Sequence, residues 1–114
     1  MKEIIFYRTP KGKCPVEEFL DALSEKQARK ITWVLRLIRE SDQVSADYFK
    51  KLVNTNDIWE VRVHQEKLSI RILGFFDQNK FIILTNGFIK KSQKTPADEI
   101  SLAEERKKDF LGRR

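Results

Sequence analysis

Residues 57–90, DIWEVRVHQEKLSIRILGFFDQNKFIILTNGFIK, carry the clearest structural signal in the chain. Apolar and polar residues alternate over 59–64 and again over 68–73, which is the period-two pattern of half-buried strands. A third run, 81–86, is apolar on both faces and indicates a central or covered strand. Short turn-forming segments separate the three runs. The sequence therefore predicts a meander of three antiparallel strands.

Upstream of this meander, the pattern predicts one strand and two helices. Residues 4–7 are rich in β-forming side chains and end at a turn that contains proline and glycine. Pro15 suits the first position of a short helix, and Ser24 is a suitable N-cap for a longer helix with apolar residues at three- and four-residue spacing. Residues 48–52 are expected to pack as a short helical turn before a polar loop.

Downstream of the meander, residues 95–98, TPAD, combine an N-cap, a first-turn proline and an acid at the capping-box position. They predict a final helix with a thin apolar stripe formed by Ile100, Ala103 and Phe110. The predicted fold class is α+β, with an N-terminal strand and two helices packed on a mainly antiparallel sheet of about four strands, and a C-terminal helix. Residues 1–114 are expected to form one domain, because a chain of this length has room for one hydrophobic core.

The charge balance points to a polyanionic partner. Twenty-three Lys and Arg residues against seventeen Asp and Glu give a formal net charge of +6, which favours encounter with nucleic acid over a merely soluble basic surface. The single cysteine, Cys14, cannot form an internal disulfide, and the chain opens on a strand-like run rather than a secretion signal. The longest apolar run, 81–84, is too short to cross a bilayer. We therefore expect a cytoplasmic protein without a membrane partner.

The residue inventory argues against several kinds of site. One histidine and one cysteine make a Cys/His zinc site implausible, and the sequence contains neither a calcium-binding loop nor a glycine-rich phosphate cradle. A Ser-His-Asp triad would have to use His64, and no nucleophile-elbow sequence supports one. We therefore expect neither a metal nor another cofactor.

What remains is a set of cations in the meander half of the chain. Arg62 and Arg71 lie on adjacent predicted strands, which run about 5 Å apart, so if the registers of these strands agree their guanidinium groups can share one face and bind the same phosphate. Either arginine could instead pair with a carboxylate such as Glu60 or Asp77. The third strand is followed by lysines that could contact nucleic acid or simply solubilise a loop, namely Lys90, Lys91 and Lys94.

Three further side chains have two interpretations each. Glu60 could act as a general base, but the role of counter-ion to the arginines is favoured. His64 faces the polar side near Arg62 and could shuttle a proton near neutral pH, or it could be an ordinary exposed histidine. Trp33 lies off the apolar stripe of the second helix, where a wide hydrophobic face is favoured over an exposed partner contact.

The segments IWEVRV, SIRILGFF and FIILTNGFIKKSQKTPADEISLAEERKKDF resemble the phage-derived, HigB-like branch of the RelE/ParE toxin–antitoxin superfamily. The resemblance covers about half the chain by motif and nearly all of it by element order. Ser92 departs from the pattern, which has threonine there. Asn86 stands where histidine is frequent, so a catalytic histidine at that position is not carried over. The matching residues are Trp59, Glu60, Arg62, Arg71, Gly87, Phe88, Lys90, Lys91, Lys94, Thr95 and Pro96.

The resemblance implies a metal-independent endoribonuclease that cleaves translated messenger RNA, often on the ribosome, and that a cognate helix-turn-helix antitoxin silences. Arg62 and Arg71 would clamp the scissile phosphate while the RNA's own 2′-hydroxyl attacks. The lysines would hold flanking phosphates or assist proton transfer, and Glu60, Lys90 and Lys91 are the alternatives for the base. His64 and Lys94 would contact RNA.

Two other functions fit the same residues. A ParE-like member of the superfamily would poison DNA gyrase without nuclease activity, and a non-catalytic nucleic-acid-binding module would use the same cations as phosphate contacts only. For the toxin, the second helix and the exposed sheet edges are the expected antitoxin surface.

Overall fold

Three helices and one five-stranded sheet make up the fold in the computed structural model, which describes residues 2–113. The predicted α+β class and element order are confirmed, and the sheet has one strand more than the expected four. The strands lie in the order β1-β5-β4-β3-β2. The elements are β1 Glu3–Phe6, α1 Pro15–Asp21, α2 Glu25–Glu40, β2 Phe49–Lys51, β3 Trp59–Gln65, β4 Leu68–Asp77, β5 Phe81–Lys90 and α3 Ala97–Gly112.

The sheet is mixed because the N-terminal strand joins it in parallel. β1 pairs with β5, and Ile4 lies beside Ile82. The meander β3–β4–β5 is antiparallel, as predicted, and β2 adds to its far edge. Among residues 2–113, no helix is long and apolar enough to span a membrane.

Apolar side chains cover both faces of the sheet. On one face, Ile31, Val34 and Ile38 of α2 pack on the central strands. On the other face, Ala103 of α3 packs in a second cluster with Phe75. Helix α3 contacts β4 and β5. The polar residues of β3 and the start of β4 share this second face with α3, and the candidate site forms there.

The expected helical turn at residues 48–52 is wrong, since residues 49–51 form strand β2. Phe49 aligns with Val61 of β3 and is buried. Ahead of the strand, the Ser45 carbonyl accepts hydrogen bonds from the backbone N–H groups of Tyr48 and Phe49, so the helical character is confined to a single turn. A strand of three residues is too short to show a period-two pattern in the sequence. It forms because pairing with β3 provides partners for its backbone N–H and C=O groups.

Helix α2 begins as predicted. Its N-cap is Ser24, whose hydroxyl accepts a hydrogen bond from the backbone N–H of Gln27, while the Gln27 side chain accepts one from the backbone N–H of Ser24. This reciprocal capping box satisfies two backbone donors that a helix start leaves open.

Gly87 of β5 allows α1 to approach the sheet closely. A Cβ atom at Gly87 would overlap the ring of Phe19. Gly87→Ala should therefore displace that ring and lower the free energy of unfolding by about 1–3 kcal/mol, measured by urea denaturation. Gly112→Ala is the control, because within residues 2–113 its added carbon meets no new neighbour within 4 Å. Equal stability of the two variants would contradict this close packing.

Candidate functional site

The β3–β4 hairpin places two arginines directly opposite each other. Glu66 begins the short connection with a positive φ of 59°, and the resulting register aligns Arg62 with Arg71. Directly opposite residues of an antiparallel pair point to the same face of the sheet. The two guanidinium groups therefore stand on one face, as the alternation in the sequence led us to expect.

A buried carboxylate lies between these arginines. Glu60 is 0% exposed, and its Oε1 accepts a hydrogen bond from Arg62 Nε at 2.9 Å. Arg71 Nε lies 3.6 Å from the same oxygen. The other oxygen, Oε2, accepts a hydrogen bond from Thr95 Oγ1 at 2.5 Å. Glu60 thus serves as a shared counter-ion that holds the arginines together.

Arg71 is the more deeply placed of the two arginines. It is 6% exposed, and its Nη1 donates a hydrogen bond to the Ile70 carbonyl at 3.2 Å. Its Nε is buried without a hydrogen-bond partner. Burial lowers the pKa of Arg71 and the Glu60 carboxylate opposes that shift, but a guanidinium remains charged at neutral pH. Arg71 Nε faces the Glu60 carboxylate at 3.6 Å, so the ion pair compensates the buried charge.

Lys90 adds a third cation to this face. It is the last residue of β5 and lies opposite Ser69, two residues before Arg71 on β4. Burial lowers the pKa of Lys90, the charge of Arg71 adds to the effect, and Glu60 opposes it. Proximity to Arg62 also contributes. Lys90 therefore joins Arg62 and Arg71 on the face that holds the buried carboxylate, and the three cations outnumber that one acid.

The remaining predicted cations lie at the periphery. Lys91 and Lys94 are exposed in the segment between β5 and α3, and Thr95 ties the end of that segment to the buried carboxylate. His64 is exposed on β3, with its Nδ1 3.3 Å from Ser69 Oγ. Beside it runs a groove of about 350 Å³, lined by Lys30, Asp47, Tyr48, Arg62, His64 and Arg71.

A family model matches most of the chain and agrees with the resemblance to RelE/HigB-like toxins in its sequence. A family model described as phage-derived protein Gp49-like (DUF891) matches residues 18–108, which includes both arginines, Glu60 and Lys90. The chain belongs to the Gp49-like family. This Gp49-like family is part of the RelE/HigB-like toxins. The search of curated proteins found no match.

The Gp49-like site includes one residue whose role was predicted wrongly. We expected Thr95 to cap α3, but the N-cap is Pro96, and Thr95 donates its hydroxyl to Glu60 instead. As an N-cap the Thr95 hydroxyl would accept a hydrogen bond from a backbone N–H, whereas here it donates one to a charged carboxylate. A threonine before a proline gives no sequence signal that separates the two roles.

Asn86 of the Gp49-like chain links strand β5 to helix α3 through hydrogen bonds. Its Nδ2 donates to Glu99 Oε1 at 2.9 Å and to the Glu99 carbonyl at 3.3 Å. Its Oδ1 accepts a hydrogen bond from Thr85 at 2.6 Å. Asn86 therefore anchors the first turn of α3.

Within residues 2–113, no group of three or more His, Cys, Asp or Glu side chains lies close enough together to hold a metal ion.

Proposed function

We propose that this Gp49-like protein is the toxin of a toxin–antitoxin pair, of the HigB-like kind, and that it cleaves messenger RNA. The observation that carries the proposal is that Arg62 and Arg71 share the buried carboxylate of Glu60, with Lys90 on the same face opposite Ser69. Arginine forks fit phosphate oxygens in a bidentate geometry, and a preorganised cluster stabilises charge that develops on them. Membership of a toxin family supports the biological role.

The reaction that fits this cluster uses a nucleophile supplied by the RNA. The 2′-oxygen of one nucleotide bonds to the adjacent phosphorus, and the bond from phosphorus to the 5′-oxygen of the next nucleotide breaks. A base takes the 2′-hydroxyl proton, and an acid protonates the departing 5′-oxygen. Arg62 and Arg71 stabilise the negative charge on the phosphate, and Lys91 and Lys94 hold flanking phosphates.

Lys90 is the base that we propose. Glu60 is an unsuitable base because it is fully buried and both of its oxygens are engaged by Arg62 and Thr95. Lys90 is partly exposed on the same face. Burial and the neighbouring Arg71 lower the pKa of Lys90 and so increase its neutral fraction. In this proposal His64, which is exposed on β3, contacts the neighbouring RNA.

The cleavage rate is expected to rise with pH until Lys90 has lost its proton. Because the pKa of Lys90 is lowered, the rise should be complete below the pH at which an ordinary lysine deprotonates. Lys90→Arg keeps the charge but cannot lose a proton, so its rate should be low and should lack this rise. Lys91→Arg is the control and should retain it. A Lys90→Arg enzyme with the wild-type pH–rate profile would contradict the base role.

A reconstituted translation reaction tests the function as a whole. Purified protein should cut a translated message with multiple turnovers, and should cut it much more slowly when ribosomes are omitted. Adding the helix-turn-helix antitoxin encoded beside the toxin should stop the cleavage. Intact RNA together with gyrase-dependent DNA breaks would favour the ParE-like function. Stoichiometric RNA binding without turnover would favour a non-catalytic module.

A further inference from the structure

The groove beside the arginines contains a feature that phosphate binding does not require. Its lining includes an aromatic residue, Tyr48, together with Arg62 and His64. The Tyr48 carbonyl accepts a hydrogen bond from the backbone N–H of Arg62 at 2.7 Å. Arg62 Nη1 reaches back toward the Ala46 carbonyl at 3.4 Å. The aromatic residue is thus attached to the strand that carries the phosphate-binding arginine.

A second aromatic residue supports Tyr48 from helix α2. Trp33 is 48% exposed, so the expected wide hydrophobic face of α2 does not bury it. Its ring meets that of Tyr48 edge to face, with centroids 5.8 Å apart and planes at 75°. The ammonium group of Lys30 lies 4.7 Å from the Trp33 ring centroid. The contacts fix both the tyrosine ring and a cation at the groove.

We infer that this groove is a nucleobase subsite, in which the base next to the scissile phosphate stacks on Tyr48. The inference rests on the proposed function and deepens it. Single-stranded nucleic acid is bound by aromatic rings placed among cations, because every base has a face to stack and every nucleotide has a phosphate. The groove has this composition, with the cations Lys30, Arg62 and Arg71 against one acid, Asp47, and with Tyr48 in the same lining.

The position of the groove favours RNA over a protein segment as its occupant. Arg62 and Arg71 line the groove and also belong to the phosphate site. A nucleotide whose phosphate is held by these arginines would therefore have its sugar and base directed into the groove. Lys30 is then positioned for the next phosphate, and Trp33 acts as a positioning residue for Tyr48.

Tyr48→Leu is expected to lower kcat/KM for message cleavage by about 5- to 150-fold, the range that loss of one base–aromatic stack produces. Leucine is chosen because Tyr48 also packs against the core beside α2, and an apolar side chain preserves that contact. Tyr48→Phe keeps the stacking face and should remain near the wild-type rate. Phe81→Leu is the matched control, since Phe81 also lies beside a lysine, Lys80, but at the opposite end of β5.

A short synthetic message on ribosomes separates stacking from a general packing effect. After the cleavage site is mapped with the wild-type protein, single abasic nucleotides are placed in turn at the positions flanking it. At one position, loss of the base should slow the wild-type protein about as much as Tyr48→Leu does on the intact message. At that position the abasic change should not slow Tyr48→Leu further, because both changes remove the same contact.

The outcomes are distinct. If the abasic nucleotide and Tyr48→Leu lower the cleavage rate independently at every position, the subsite is overturned. A Tyr48→Leu protein with the wild-type rate would also overturn it. Both results would leave the nuclease proposal intact. Weakened antitoxin binding by Tyr48→Leu with unchanged cleavage would likewise overturn the subsite and assign the groove to the protein partner. A wild-type protein that cleaves no RNA would overturn both proposals.

Discussion

Arg71→Ala is expected to lower the rate constant of message cleavage by about 10²- to 10³-fold, the usual cost of removing one donor group from a preorganised anion site. Arg71 lies directly opposite Arg62 and lines the groove beside it, so its guanidinium group is positioned to hold a phosphate oxygen. The fold should survive, because Arg62 still pairs with Glu60 at 2.9 Å. Single-turnover cleavage and thermal melting measure the two effects separately.

Two further variants make this result specific. Arg71→Lys retains the positive charge but lacks the planar guanidinium fork. Compared with Arg71→Ala, it should recover more of the wild-type folding stability than of the wild-type cleavage rate. Arg29→Ala removes an exposed arginine of α2 that pairs with Glu25 at 2.7 Å, and it should cleave at the wild-type rate. If Arg71→Lys cleaves at the wild-type rate, the site requires only a positive charge, and the predicted bidentate contact between Arg71 and phosphate is wrong.

Glu60→Ala is expected to lower the free energy of unfolding by about 3–5 kcal/mol, the usual effect of removing one member of a buried ion pair. The loss is large because the variant leaves Arg71 buried without its counter-ion, and because Arg62 and Thr95 lose their acceptor. A domain of this size is stabilised by about 5–15 kcal/mol in total, so the change should be obvious in urea denaturation.

Glu25→Ala is the matched control for this experiment. Glu25 also pairs with an arginine, but on the exposed surface of α2, where such pairs contribute about 0.3–0.5 kcal/mol. The two variants remove the same chemical group from one buried and one exposed site. A Glu60→Ala protein as stable as Glu25→Ala would show that the carboxylate does not hold the arginines together.

The parts of the fold that were predictable from the sequence are those governed by local pattern. The alternation over residues 59–64 and 68–73 identified β3 and the start of β4, and the short connection between them fixed the opposition of Arg62 and Arg71. The capping box at Ser24 identified the start of α2. In each case the deciding interaction joins residues close in the chain.

The parts that were missed depend on contacts between distant segments. Strand β2 forms because Phe49 pairs with Val61, which its three residues alone do not indicate. Thr95 was expected to cap α3, but its hydroxyl donates a hydrogen bond to Glu60, which lies 35 residues earlier in the chain. The exposed Trp33 gains its role only from Tyr48, which tertiary packing brings beside it. Local pattern contains no information about such pairings.

The chemical nature of the RNA ends is the most direct test of the claim that Arg62, Arg71 and Lys90 promote attack by the RNA's own 2′-hydroxyl. Fragments of a translated message cut by the purified protein are analysed by mass spectrometry at the new ends. The account predicts a 2′,3′-cyclic phosphate on the upstream fragment and a 5′-hydroxyl on the downstream one. A 3′-hydroxyl facing a 5′-phosphate would contradict it, because those ends require attack by water rather than by the neighbouring ribose.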